Sequence, residues 1–557
     1  MSSTGRRAAF RPKLGIQGPA VSWQDPWAGE ERAACWMRTG TGSLLAPQDP
    51  TPEPVAFLRA MRELGAEFYV HHAMPDLAGQ SEFVRDAALC GMEICLGNEY
   101  GNINGPYTEG TNRWDIPDEA VLEAARSGLL TGLLYDEPEH LQINAGQYRK
   151  DGFYPHWGAT DGLSLAEAGR KVAEAVAERA ARIRRLLERE GLDPDAVPLI
   201  SEQVFPVMFH LFARSGMIPC PKIMKESFQP LQLSAALGAA KQYGRQMWIC
   251  ADLWGPDTGA WFTRAPGFPG HSPAEFASAL RLGYFMGPDR LFAENVDALL
   301  HYGNGTTFRR TEFGDVWDEF AREFVPSHPL RWSHGDAECD IAIIHADDGN
   351  YGQNERLLGN RTLPAPETTQ SVFQVWHLLS RGTIPPHGSC MHIPGYDFPR
   401  HRLKADVPAA SFPLERGSSA HVAEGVHPLF YPSRSTLTFD ETVSEGRLGR
   451  PGLIVVAGSR ISEETLAMVR DRAERGATVV IADWLVPRRW ADSEPVGSGR
   501  WLTTEHFLED DRVRETLEPF LPAADCWTQR FGEAELRIYP KDSRGFELEF
   551  EVCEPNR

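Results

Sequence analysis

The chain has 557 residues, 42% of them hydrophobic and 24% charged, and this composition excludes a disordered or fibrous protein. Asp and Glu (77) outnumber Lys and Arg (56), which argues against a nucleic-acid partner. No apolar run approaches the roughly 18 residues of a membrane span. The length allows about three or four domains, or fewer if one of them is an α/β barrel.

Short apolar runs alternate with longer helical stretches over roughly the first 330 residues, as is typical of parallel strands joined by crossover helices. Eight strands are predicted, at Leu14–Ile16, Glu67–His71, Met92–Gly97, Gly132–Tyr135, Pro198–Ser201, Lys222–Lys225, Met247–Ala251 and Leu291–Ala293. The main helices are predicted at Pro54–Leu64, Leu165–Arg189, Leu231–Tyr243, Pro273–Phe285 and Thr311–Phe324. The pattern predicts a (β/α)8 barrel over residues 1–335, whose active site lies where the strands end.

A second unit is predicted over residues 336–500. Asp340–His345 reads as a strand, and Leu453–Ala457, Ser462–Arg475 and Ala477–Ala482 form a strand–helix–strand pattern. These elements predict a flavodoxin-like, doubly wound sheet, so the fold class is α/β. Residues 501–557 end in two alternating runs, which predict a β-hairpin or a small sandwich.

The strongest candidate for chemistry is the end of the fourth predicted strand. Asp136, Glu137 and Glu139 follow the apolar pair Leu133–Leu134. Three carboxylates at the end of a buried strand repel one another and are costly to desolvate, so we expect a raised pKa for Glu137, which suits a general acid. The alternative is a solvated acidic loop or a helix N-terminus that favours negative charge.

Other predicted strands of the barrel also end near a carboxylate, namely Glu99, Glu202, Glu226, Asp252 and Glu294. Any one of them alone is more often a salt-bridge partner. Together they predict a pocket that contains a general acid and a second carboxylate, which is what cleavage of a glycosidic bond requires.

Residues suited to sugar binding lie in the loops beside these strand ends. Asn98 begins an Asn-rich segment whose amides can bind hydroxyl groups. Trp23 and Trp254 belong to groups of loop tryptophans whose rings can pack against the apolar faces of sugars. Simple loop packing is the alternative for each tryptophan.

The sequence contains no signature for a cofactor. It has no phosphate-binding glycine motif and no regular metal-ligand spacing, so we predict neither a nucleotide nor a metal. Nine scattered cysteines without a C-x-x-C pair argue against a disulfide framework and a structural zinc. No apolar stretch follows the N-terminal arginines, so a secretory signal is not expected and we predict a cytoplasmic protein.

The chain resembles glycoside hydrolases of the family 42 β-galactosidase type. The resemblance rests on Leu133–Glu139 (LLYDEPE), which looks like the strand end that carries the acid/base Glu, and on Leu453–Trp484, which is similar to the amidotransferase-like second domain of those enzymes. It implies that Glu137 is the acid and that the chain forms a homo-oligomer, a dimer or a trimer. The family's Asn-Glu pair is here Asp136-Glu137. That pair also looks like barrels in which an acetamido group of the substrate is the nucleophile, so amino sugars are among the candidates.

We therefore predict a glycoside hydrolase that acts on a carbohydrate. Glu137 is the acid, Glu226 is the first choice for nucleophile or base, and Asp252 and Glu202 come next. Substrate binding is assigned to Asp136, Glu202, Glu294, Glu99, Asn98, Trp23 and Trp254. The alternatives are a metal-dependent sugar isomerase or lyase on the same barrel and a non-catalytic carbohydrate-binding protein.

Overall fold

The structure is a computed structural model. It describes residues 9–18, 24–25, 30–31, 53–72, 80–98, 103–105, 115–139, 162–224, 228–253, 272–294, 296–301, 303–349, 367–386, 428–490 and 495–554. Within these ranges, no helix combines the length and the apolarity that crossing a bilayer requires.

Eight parallel strands close into a barrel in which chain neighbours pair and the last strand pairs with the first. They are β1 (Lys13–Gln17), β2 (Phe68–His72), β3 (Glu93–Asn98), β4 (Leu130–Asp136), β5 (Leu199–Gln203), β6 (Met217–Ile223), β7 (Trp248–Asp252) and β8 (Arg290–Glu294). The predicted (β/α)8 barrel and the α/β class are confirmed, and seven of the eight strands lie within two residues of their predicted starts.

Strand β6 begins five residues before its predicted start at Lys222. The earlier part of the strand contains Pro219 and Pro221, which have no backbone N–H for a sheet ladder and therefore argue against a strand. In the barrel, β6 pairs with β5 over Met217–Pro221, but its ladder with β7 includes only Lys222 and Ile223. The prolines are tolerated because one neighbour supplies most of the pairing.

Helices cover the outside of the barrel, at Pro54–Glu63, Gln80–Cys90, Asp118–Arg126, Leu165–Arg189, Phe209–Arg214, Gln229–Tyr243, Pro273–Phe285, Val296–Leu299 and Glu312–Glu319. The longest has the predicted bounds. Ser164 and Glu167 form a capping box at its start, and Gly191 adopts a φ of 71° just beyond its end.

Alternate residues of each strand face the barrel interior, which places apolar and charged side chains in successive layers. In β6, Cys220 lies in the apolar cluster inside the barrel, and Lys222 is the next residue on that face. In the same way Glu202 follows Ile200, and Glu294 follows Phe292. The charged layer therefore lies directly on an apolar one at the carboxyl ends of the strands.

A six-stranded sheet follows the barrel, and its strand order in space is Thr436–Phe439, Ile341–Ile344, Leu453–Val456, Thr478–Ala482, Gly499–Thr504 and Pro495–Val496. The first five strands are parallel, and the short edge strand is antiparallel. Numbered along the chain, the parallel strands have the order 2-1-3-4-5 of a doubly wound sheet. The same part of the chain also contains the helices Glu367–Leu379, Glu445–Leu448, Glu463–Glu474 and Asp511–Leu517.

The C-terminal strands Trp527–Phe531, Ala534–Pro540 and Leu548–Cys553 form an antiparallel sheet. The first of them also pairs with Ala337–Glu338 and with Ser433–Arg434, so the sheet is larger than a hairpin. The domain boundaries stay predictions. Strand Gly499–Thr504 of the six-stranded sheet spans the position predicted for the second boundary.

The six-stranded sheet contacts the barrel through helix Gln229–Tyr243. Gly238 lies so close to the sheet that a Cβ there would come within 1.7 Å of the Thr438 carbonyl oxygen. The hydroxyl groups of Ser234 and Thr438 are 2.9 Å apart, and the Gln242 amide donates to Asp440. A larger side chain at position 238 would push the two units apart.

A group of buried or half-buried charges lies at this contact, and we call it the interface cluster: His210, Arg214, Asp347, Asp348, Asp440, Glu441 and Arg460. Asp347 accepts hydrogen bonds from the backbone N–H groups of His210 and Leu211, at 2.7 and 3.3 Å. It therefore caps the barrel helix Phe209–Arg214 from the other unit.

Candidate active site

Five carboxylates and one lysine meet at the carboxyl ends of the barrel strands, and we call this group the mouth cluster: Asp136, Glu137, Glu202, Lys222, Asp252 and Glu294. Strand register brings them together, because Asp136 is level with Glu202 and Asp252 is level with Glu294. Parallel strands that end at one rim place their last interior side chains around the same axis.

The amine of Lys222 is at the centre of the mouth cluster. Its Nζ lies 2.7 Å from Glu294 Oε2, 2.8 Å from Asp136 Oδ1 and 3.2 Å from Glu137 Oε1. Asp252 Oδ2 and Glu202 Oε1 are farther away, at 3.6 and 3.8 Å. The lysine side chain is fully buried, so these carboxylates take the place of the water that would otherwise solvate the ammonium group.

The backbone of Glu137 explains how two consecutive residues reach the same amine. Successive residues of a strand point to opposite faces, so Asp136 and an extended Glu137 would diverge. Glu137 instead has a φ of 47°, in the left-handed region, and its N–H donates to the Glu202 carbonyl oxygen at 2.7 Å. A non-glycine residue in this conformation is strained, and such strain is concentrated at functional sites.

The protonation states of the site follow from burial and neighbouring charge. Burial raises the pKa of Glu202 well above its usual range; Lys222 opposes this shift, and Asp136 and Glu294 add to it. Burial alone lowers the pKa of Lys222, but the surrounding carboxylates, led by Asp136, outweigh it and hold the pKa well above its usual value. Lys222 is therefore an ammonium group at neutral pH, and Glu202 binds a proton more readily than an exposed glutamate does.

Glu139, the third acid of the predicted motif, has a different position from Glu137. Its side chain is fully buried, and Oε1 accepts hydrogen bonds from the backbone N–H groups of Val204 and Phe205. Burial raises the pKa of Glu139 well above its usual range, and the charge of Glu137 adds to the shift. Glu139 thus holds the loop after β5 against the turn that carries Glu137.

Glu294 is the most exposed carboxylate of the mouth cluster, with 11% of its side-chain surface accessible, and Glu137 and Asp136 follow at 5% and 4%. Glu137 and Glu294 both lie at hydrogen-bond distance from Lys222. Their oxygens bind the same Nζ at 3.2 and 2.7 Å, so these two atoms are at most about 6 Å apart. Retaining glycosidases keep their two carboxyl groups about 5–5.5 Å apart, and inverting ones about 6.5–9.5 Å.

The structure brings together five of the residues predicted for the site: Asp136, Glu137, Glu202, Asp252 and Glu294. Asn98 is buried at the last position of β3, on the same rim of the barrel. Four predicted residues lie outside the described ranges: Glu99, Glu226, Trp23 and Trp254. Their positions, like the roles of all ten residues, stay predictions.

Glu202, Cys250 and Glu294 are the one group of described residues whose side chains could together hold a metal ion. Their ligand atoms lie within 4.8 Å of one another. Burial raises the pKa of the Cys250 thiol well above its usual value, whereas a metal ligand must be a thiolate. The Lys222 ammonium already lies among these side chains, so a metal ion could bind there only if the lysine moved away.

Sequence reasoning missed Lys222 and Cys250 as members of the site. A signal for Lys222 was available, because it is the only charged residue in the run Met217–Met224 (MIPCPKIM) and follows Ile218 and Cys220 at a period of two. A charge on the interior face of an apolar strand needs partners, and the acidic strand ends supply them.

No family model matches this sequence, and no curated protein matches it. Among solved structures, the chain is similar to a β-galactosidase from the psychrophilic Marinomonas ef1, with 8% identity and a TM-score of 0.48 over 95% of each chain. It is similar to an exo-β-1,4-mannosidase from Opitutaceae bacterium strain TAV5, with 13% identity and a TM-score of 0.41 over 88% of this chain and 81% of that one. The catalytic module of a family 98 glycoside hydrolase from Streptococcus pneumoniae TIGR4 has 10% identity and a TM-score of 0.41, over 96% of this chain and 76% of that one. The similar structures thus include glycoside hydrolases.

Proposed function

We propose that the protein is a glycoside hydrolase in which Glu137 is the general acid and Glu294 is the nucleophile. The observation that carries the proposal is the pair itself: Glu137 and Glu294 bind one ammonium group, and the oxygens that bind it lie at most about 6 Å apart. Among the residues first predicted for the second role, Asp252 and Glu202 are fully buried, and Glu226 lies outside the described ranges. Glu294 is therefore preferred to Asp252 and Glu202 in this proposal, and the role of Glu226 stays a prediction.

The proposed reaction proceeds in two steps with retention of configuration. A Glu294 oxygen attacks the anomeric carbon while Glu137 gives its proton to the departing glycosidic oxygen, and the sugar becomes esterified to Glu294. Glu137 then removes a proton from a water molecule, which attacks the anomeric carbon and releases Glu294. The acid must be protonated in the first step, so activity falls as the pH rises past the pKa of Glu137.

A clustered set of desolvated carboxylates also supports catalysis over simple sugar binding, because a binding protein gains nothing from burying them. We also propose that the protein is a family 42-like enzyme with an amidotransferase-like second domain, that it is cytoplasmic, and that it forms a homo-oligomer. The seven cysteines within the described ranges are all free thiols, which is compatible with a reducing compartment.

The test is hydrolysis of aryl glycosides of the common hexoses, in both anomeric forms and with good and poor leaving groups. We expect Glu137→Gln to lower kcat on the poor leaving group by about 100-fold or more, because proton transfer is then lost, and to affect the good leaving group much less. Glu93→Gln, at the opposite end of the barrel, should leave both rates near the wild-type values.

Wild-type rates of Glu137→Gln on the poor leaving group would exclude its role as the acid. Product analysis by NMR checks the stereochemistry, and inversion would exclude Glu294 as the nucleophile. Activity that is lost in EDTA and restored by a divalent cation would favour the metal-dependent isomerase or lyase instead.

A further inference from the structure

Lys222 has no role in the two proposed steps, yet it is the most strongly paired residue of the site. Five carboxylates lie within 4 Å of its Nζ, and none of its side-chain surface is accessible. Burying an ammonium group costs several kcal/mol before its ion pairs are counted, and the carboxylates that repay this cost are themselves expensive to bury. Its position calls for a function.

The geometry argues against a role as a nucleophile. An amine attacks only in its neutral form, and the carboxylates around Lys222 favour the charged form. Glu294 and Asp136 lie at hydrogen-bond distance on the ammonium, at 2.7 and 2.8 Å. A group held in this way is a fixed cation.

The backbone of Lys222 is as constrained as its ammonium group. Lys222 belongs to β6 and pairs with Cys250 of β7, and the chain turns sharply at Met224, whose φ is 76°. A side chain that is anchored on a rigid strand and held by several ion pairs has a fixed position. The carboxylates that bind it are therefore fixed as well.

We propose that Lys222 is the positioning residue of this site: its ammonium group, rather than a metal ion, holds the Glu294 carboxylate opposite Glu137. The inference rests on the proposed function, since it assigns the nucleophile to Glu294. In addition, the Lys222 ammonium group occupies the centre of the carboxylates and keeps a divalent cation from binding there.

The experiment removes the amine and then returns it as a small molecule. Lys222→Ala lacks the atoms of propylammonium, so we expect kcat to fall by about 100-fold, with KM changed much less, because the nucleophile loses its support. Added propylammonium should restore kcat by about tenfold or more in a saturable manner, whereas 1-propanol, which has a similar shape but no charge, should not. A merely structural role would not respond to the charge of the additive.

Lys13→Met is the matched control, because Lys13 is also a barrel-strand lysine paired with a glutamate, Glu93, but lies at the opposite end of the barrel. Its activity should stay within about twofold of the wild type. If Lys222→Ala does not fold, Lys222→Met keeps most of the side-chain volume and should show the same loss of kcat.

Wild-type kcat in either folded variant, or equal rescue by propylammonium and propanol, would overturn the inference and leave the proposed function intact. A wild-type protein that is inactive in EDTA and reactivated by a divalent cation would overturn it without any variant. Full wild-type activity in EDTA supports it. Absence of hydrolysis by the wild type across the glycoside panel would overturn the proposed function and this inference together.

Discussion

The mouth cluster of the barrel and the interface cluster beside the six-stranded sheet both lie where parallel strands end, but they balance charge differently. In the interface cluster, four carboxylates meet three cationic side chains, those of His210, Arg214 and Arg460. In the mouth cluster, five carboxylates share the ammonium of Lys222. Among the described residues, the interface cluster thus has nearly as many cations as carboxylates, whereas the mouth cluster has one cation for five carboxylates.

The contacts of the interface cluster indicate that it joins the two units. Arg460 binds Asp348 at 2.6 Å and Glu441 at 2.8 Å, and Asp347 caps a helix of the barrel. The carboxyl edge of a doubly wound sheet is where such folds bind ligands, at the point where the strand order reverses. Here a barrel helix occupies part of that position.

The two clusters show that buried charges can serve either to join two units of the fold or, as we propose for the mouth cluster, to form a reactive site. Charges that bind one another and also bind backbone groups stabilise a contact, whereas several carboxylates crowded around one ammonium group repel one another and cost stability. Removal of Asp347 from the interface cluster should therefore lower stability, whereas removal of Glu202 from the mouth cluster should raise it.

The largest expected effect on stability is at Asp347. Asp347→Ala removes the ion pair with His210 Nδ1 and leaves two backbone N–H groups without their acceptor, so the free energy of unfolding should fall by about 3–5 kcal/mol. Urea denaturation at pH 7 measures this change. Glu445→Ala, which removes a half-exposed carboxylate and its ion pairs with Arg475 and Arg472, is the control and should cost at most about 1 kcal/mol. Equal losses in the two variants would show that the buried interface contributes no more than a surface pair.

The next effect is on the pH dependence of stability. Burial raises the pKa of Glu441 to about 7 from an ordinary value of 4.5, with Arg460 opposing the shift. The folded protein thus binds this proton more tightly than the unfolded chain, so its stabilisation is full below about pH 4.5 and is lost as the pH rises to about 7. Since one pKa unit corresponds to about 1.4 kcal/mol, the loss is about 3 kcal/mol at most.

Glu441→Gln should flatten that part of the stability profile, measured by urea denaturation between about pH 5 and pH 8. The raised pKa of His210 also removes stability above its ordinary value of 6.5, in both proteins, so the difference between them isolates Glu441. Parallel profiles for the wild type and the variant would contradict the assignment.

The smallest effect is expected at Glu202, where the sign should reverse. Glu202→Gln removes a buried carboxylate whose Oε1 lies 3.8 Å from Lys222 Nζ, too far for a hydrogen bond. We therefore expect a gain of about 1 kcal/mol in stability at pH 7. Glu93→Gln is the opposite case, because Lys13 and Arg290 bind Glu93 and hold its pKa below the usual value despite burial. Glu93→Gln should therefore lose stability. Thermal unfolding compares the two variants, and a loss of stability in both would contradict the gain expected at Glu202.

Much of the architecture could be predicted from the sequence because the signals are local. Helix Leu165–Arg189 has its apolar period, its Ser164 cap and its Gly191 stop in consecutive residues, and it was located to the residue. The alternation of strands and helices predicted the barrel for the same reason. The start of β6 was missed because Pro219 and Pro221 carry a local signal that pairing with β5 overrides.

The carboxylates at the strand ends were also predicted from the sequence, since each follows its own apolar run. Their common partner was not, because Lys222 reaches Asp136 across 86 positions of the chain, and Glu294 across 72, only when the barrel closes. The interface cluster was missed for the same reason: His210 and Asp347 are separated by 137 positions. The sequence by itself determined which strands end in charge, whereas closure of the barrel and docking of the second sheet decided which charges neutralise one another.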